Sequence, residues 1–93
     1  MNICRFLGPI FQEAGKGKFD CSELDGEGIF RELECENVAV KLDKKLMKSE
    51  TSAIYPKGCY VYNDTDVYWN KHSVGAAETY SSPICKVGGS NDF

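Results

Sequence analysis

Five cysteines in a chain of 93 residues constrain its fold more than any other feature. They fall at Cys4, Cys21, Cys35, Cys59 and Cys85, well above the density of an ordinary globular domain. There is no CxxC pair and His72 is the sole histidine, so the close ligand spacing of a structural zinc site is missing. Two readings remain for Cys21, Cys35, Cys59 and Cys85. Either they form disulfides between distant segments, or each is a reduced, buried apolar residue. Disulfides are favoured, because loops this long would each contribute roughly 3–4 kcal/mol to a fold with a small core. Cys4 is the odd one out, as a free thiol or an intermolecular link.

Oxidised cysteines imply an oxidising space: extracytoplasmic, or the lumen of an organelle, a plastid included. The first eleven residues lack the continuous apolar stretch of a secretory leader, since Arg5 and Gly8-Pro9 interrupt it. Either a leader preceded Met1 and has been removed, or the chain crosses no membrane by that route. The cysteines favour the first. No apolar run approaches the roughly 20 residues that span a bilayer. Eleven Lys and Arg against fourteen Asp and Glu argue against a nucleic-acid partner.

The chain divides into three parts. Residues 1–19 read as an N-terminal extension or docking arm, with Phe6, Leu7, Ile10 and Phe11 apolar but aperiodic. They pack on the chain's own core or on a partner. Residues 20–88 form the domain, and 89–93 a tail. Within the domain, Asp20, Glu23, Asp25, Glu27, Glu32, Glu34 and Glu36 precede Lys41, Lys44, Lys45 and Lys48. That order suits a helix dipole. Cys35, Val38, Ala39, Leu42 and Leu46 recur at helical period, so a helix is predicted from about Phe30 to Met47, with Phe30 and Leu33 extending its apolar stripe.

After Tyr55-Pro56-Lys57-Gly58 the pattern turns to strands. Cys59–Tyr62 and Val67–Trp69 flank Asn63-Asp64-Thr65-Asp66 as a hairpin with a four-residue loop. Period two puts Cys59 and Val61 on one face with Val67 and Trp69, and Tyr60 and Tyr62 on the other. A polar loop, Lys71 to Ser82, leads to a third strand at Ile84–Val87. The expected fold is therefore α+β, with one amphipathic helix on a small antiparallel sheet (a hairpin plus a third strand), stabilised by disulfides. Four cysteines allow three pairings. The sketch favours Cys35 with Cys59, helix to sheet, and Cys21 with Cys85.

Several segments carry a resemblance. Glu34-Cys35-Glu36-Asn37-Val38-Ala39, Pro56-Lys57-Gly58-Cys59-Tyr60, Val67-Tyr68-Trp69-Asn70 and Ser82-Pro83-Ile84-Cys85-Lys86 resemble a little-characterised module abundant in algal and other protist sequences. The likeness covers about residues 21–87. Trp69 stands where that pattern has Phe, and the helix is richer in charge. In plan the module is similar to a reduced PAN/apple domain, and that likeness implies binding rather than catalysis; fold alone does not fix function.

Motifs for chemistry are incomplete. Cys59 and His72 have no orienting third group, so cysteine catalysis is not expected. Asn63-Asp64-Thr65-Asp66 fails the EF-hand pattern, because Trp69 and Gly75 stand where glycine and glutamate are required. The glycines at 15, 17, 26 and 28 form no phosphate-binding loop. No catalytic residue, cofactor or metal is expected. Asn63-Asp64-Thr65 is a glycosylation sequon on a predicted turn.

Tyr55, Tyr60, Tyr62, Tyr68, Trp69 and Tyr80 fall close together, and one helix can cover only one face of the hairpin. The other face is either folded under a loop and the N-terminal arm, or left open with Tyr60, Tyr62 and Tyr68 as a binding surface. The function expected is a non-enzymatic protein-interaction or structural module, with a protein partner preferred over a glycan. The alternative is an accessory or linker subunit of a large organellar membrane complex, photosynthetic by the algal resemblance. Such a subunit would dock through Phe6, Leu7, Ile10 and Phe11.

Overall fold

The computed structural model describes residues 10–87. Its chain order is β1 (Ile10–Glu13), a 3-10 turn (Ser22–Leu24), β2 (Glu27–Gly28), α1 (Glu32–Lys41), β3 (Lys45–Glu50), β4 (Pro56–Tyr62), β5 (Asp66–Gly75) and β6 (Ser81–Val87). The strands form one six-stranded, mostly antiparallel sheet in the order β1-β6-β4-β5-β3, with β2 also paired to β6. The α+β class is as expected, but a hairpin plus one strand understates the sheet.

Both disulfides are those of the sketch: Cys21 joins Cys85 and Cys35 joins Cys59. Cys35 lies on the buried side of α1 with Val38 and Ala39. The bond pins that side of the helix to the centre of β4. Ile29, Val61, Val67, Trp69 and Ile84 complete the core, with Phe11, Leu42 and Leu46 packed against it.

The helix is shorter than its periodicity predicts. It stops at Lys41, and the chain turns through Asp43 in the left-handed region (φ 57°). The Asp43 amide donates to the Val40 carbonyl (3.0 Å), and the Lys44 amide to that of Ala39 (2.9 Å). This is a Schellman closure with aspartate in the place usually taken by glycine. Leu46 reaches the core from a strand rather than a helix. At the other end Phe30 and Leu33 are exposed, so the stripe does not extend through them.

The hairpin puts Cys59, Val61, Val67 and Trp69 on one face as expected, with Cys59 opposite Trp69 and Val61 opposite Val67. Its loop is three residues, because Asp66 already pairs with Tyr62. Asn63 and Asp64 both adopt positive φ, which aspartate and asparagine tolerate better than most residues. Much of the predicted polar loop is strand: β5 runs on to Gly75 and β6 starts at Ser81.

β3 lies parallel to β5, while β4 is antiparallel to it. The 51–55 connection must therefore pass over one end of β5. The buried Asn70 of β5 fastens it there. Its Oδ1 accepts from the Ser52 amide at 2.8 Å, and its Nδ2 reaches the carbonyls of Ser52, Tyr55 and Pro56 at 2.9, 3.0 and 2.9 Å. Gly58 bears a positive φ of 85° where a Cβ would come within 2.5 Å of the Ile29 carbonyl oxygen. That close approach lets the Cys59 amide donate to the same oxygen at 3.1 Å. No helix among the described residues is long and apolar enough to cross a membrane.

Candidate functional site

The helix and the aliphatic core occupy the Cys59/Val61 side of the sheet, and tyrosines occupy the opposite side. Tyr60 and Tyr68 are directly opposed across β4 and β5, with ring centroids 5.6 Å apart. The loop anchored by Asn70 brings Tyr55 beside Tyr60, at 5.7 Å and nearly parallel. Tyr62 closes the circuit, edge-on to Tyr55 at 6.1 Å and to Tyr68 at 6.4 Å. Tyr80, just before β6, packs edge-on against Tyr62 at 6.5 Å. Parallel offset and edge-on contacts at these separations suit the ring quadrupoles.

Tyr55, Tyr60, Tyr62 and Tyr68, with Glu50 and Lys48 of β3, line a cleft of about 330 Å³. The Tyr60 hydroxyl donates to the Glu50 carboxylate. Burial first, then that hydrogen bond and the Glu50 charge, hold the Tyr60 phenol far above its ordinary range. Tyr55 and Tyr68 are also raised, chiefly by burial. Tyr62, Glu78 and Glu50 add to the effect at Tyr55, and Asp66 and Glu50 to that at Tyr68.

The residues singled out in the sequence are distributed unequally. Tyr60, Tyr62 and Tyr68 come together as one surface. Tyr60 is only 1% exposed, so it supports the cleft from below while Tyr55, Tyr62 and Tyr68 are partly open and Tyr80 is exposed. Trp69 faces the core. Ile10 is exposed, and Phe11 packs on the chain's own core from β1, which pairs along β6 from Ile10↔Val87 to Glu13↔Ile84. The arm residues Phe6 and Leu7, together with Cys4 and the tail after Val87, lie outside the described residues.

Asn63 sits exposed in the hairpin turn, its amide donating to the Tyr80 carbonyl. The Cys59 sulfur is bonded to Cys35, which leaves His72 no Cys59 thiol to activate. His72 Nδ1 instead accepts from the amides of Val74 and Gly75 at 3.1 and 2.9 Å. Among the described residues no three His, Cys, Asp or Glu side chains converge as a metal site.

No family model, curated protein or solved structure matches this chain.

Sequence reasoning missed Glu50, because its strand lies beside β5 in parallel pairing and nothing in the local pattern announces it. A second hollow of about 280 Å³ was also not foreseen. Phe19, Phe30, Val74 and Pro83 line it, and the Lys57 ammonium lies 4.7 Å from the Phe30 ring centre.

Proposed function

We propose that this chain is a non-enzymatic interaction module that binds a protein through its tyrosine face, with two disulfides holding the sheet that displays it. The observation that carries this reading is the division of the sheet. One side is closed by α1 and the aliphatic core, while the other carries Tyr55, Tyr62, Tyr68 and Tyr80 with ring surface still open to solvent. Tyrosine is enriched at recognition surfaces because it offers a large, stiff contact area with a polar tip. The two disulfides are compatible with an oxidising compartment, and we assign the module to one. The resemblance in plan to a reduced PAN/apple domain, drawn from the sequence, would also imply binding.

A photo-crosslinking residue placed at Tyr62, compared with the same residue at Glu36 on the exposed side of α1, tests the proposal in native extracts. A defined adduct from position 62 that position 36 does not give is the expected result. Adducts from neither position, or the same adduct from both, would overturn it.

A further inference from the structure

We infer that the tyrosine cleft is a cage for a cationic side chain, so that the protein it binds presents an arginine or lysine from a basic segment. This rests on the preceding reading of the tyrosine face and names the chemistry of its partner.

The geometry comes first. Tyr55, Tyr60, Tyr68 and Tyr62 form a closed circuit with successive centroid separations of 5.7, 5.6, 6.4 and 6.1 Å, in which Tyr60 is the buried floor and the other three rings are partly open to a guest. Aromatic faces carry negative quadrupole potential, and a cation within about 6 Å of several ring centres gains from each. The charges agree with the rings. Glu50 lines the cleft, and among the described residues its carboxylate accepts one hydrogen bond, from Tyr60. Asp66 acts on Tyr68 and Glu78 on Tyr55, so anionic groups flank the circuit. A guanidinium meets the rings and the Glu50 carboxylate together, whereas a neutral guest of the same shape meets the rings alone.

Among the described residues Lys48 is the cation that lines the cleft. Among the described residues the ion pairs are Lys16–Asp64, Lys18–Glu23 and Lys86–Glu34, and the cation–ring contact is Lys57 on Phe30. Lys48 therefore lines the cleft without filling the cage, and it opposes an incoming cation by like charge.

The test follows the ring signals of protein labelled with ¹³C-tyrosine while a capped Gly-Arg-Gly peptide is added, with the isosteric citrulline peptide as the neutral control. The expected result is saturable movement of Tyr55, Tyr62 and Tyr68. The dissociation constant should be on the order of 1 mM for a single cationic side chain, and citrulline at least about fivefold weaker. Lys48→Ala should bind tighter and Glu50→Gln weaker, each with both disulfides confirmed by mass. Equal binding of the arginine and citrulline peptides would overturn the cation inference while leaving the tyrosine face as a docking surface. No movement with either peptide, or weaker binding by Lys48→Ala, would overturn the cage, and the crosslink from position 62 then reports separately on the face.

Discussion

Tyr60 shows how one residue type takes different roles on one sheet face. Its ring is covered, its hydroxyl is held by Glu50, and its phenol is raised above the ordinary value by burial before any charge acts. A raised folded-state value means the unfolded chain gives up its proton first as pH climbs. The stability owed to this group is therefore complete below the unfolded value of about 10 and is lost progressively above it. Tyr60→Phe deletes that titration and also strips Glu50 of its donor. The variant should lose about 1.5–3 kcal/mol near neutral pH, the range for a hydrogen bond to a charged group. Its urea midpoint should fall less steeply than wild type between about pH 9 and 11. Parallel pH curves for the two proteins would contradict the assignment. Tyr60 was legible in the sequence as an aromatic on the face away from Cys59, but its burial was not. That depends on Tyr55 and Glu50, which the 51–55 loop and a parallel strand deliver from outside the hairpin.

At the scale of elements, the end of α1 explains where a periodic pattern misleads. Leu42 and Leu46 are four apart and both meet the core, so they satisfy a helical period. Asp43 nevertheless closes the helix, and Leu46 reaches the same core from β3. Spacing alone cannot separate one long helix from a shorter helix that folds back along the surface it already covers. Aspartate in the left-handed region costs free energy that glycine would not, so Asp43→Gly should raise stability by about 0.5–1 kcal/mol in denaturant unfolding. Destabilisation by this substitution would show that the helix does not end here. The hairpin, by contrast, could be read directly. Its alternation and its turn residues are local, although the loop is one residue shorter than the sequence suggests and the register follows from that. β1, β2 and β3 could not, because each is short or lysine-rich and is recruited by partners far along the chain, β6 for the first two and β5 for the third.

Across the whole molecule, the two disulfides bind together segments that local patterns leave apart. Sequence separations of 24 and 64 correspond, in the chain-entropy account, to about 3.5 and 4 kcal/mol withdrawn from the unfolded state. Of the three possible pairings the cysteine positions favoured the one found, since a helix cysteine on the apolar stripe can meet a strand cysteine on the inward face. The tyrosine face was legible as an excess of aromatics that one helix could not cover. Its cleft, which needs Glu50 and the fastening of Tyr55 by Asn70, emerges only from the assembled sheet.

The central claim is that this face serves recognition rather than folding, and the double variant Tyr62→Ser/Tyr68→Ser tests it most directly. Intact mass before and after reduction, urea unfolding and crosslinking from Glu78, beside Tyr55, would be recorded on the same preparation. The account predicts two intact disulfides, cooperative unfolding with a loss of no more than about 2–6 kcal/mol from the four forfeited ring pairs, and no partner adduct where the wild-type surface gives one. A variant that fails to fold or to close its disulfides, or one that keeps the adduct undiminished, would contradict it.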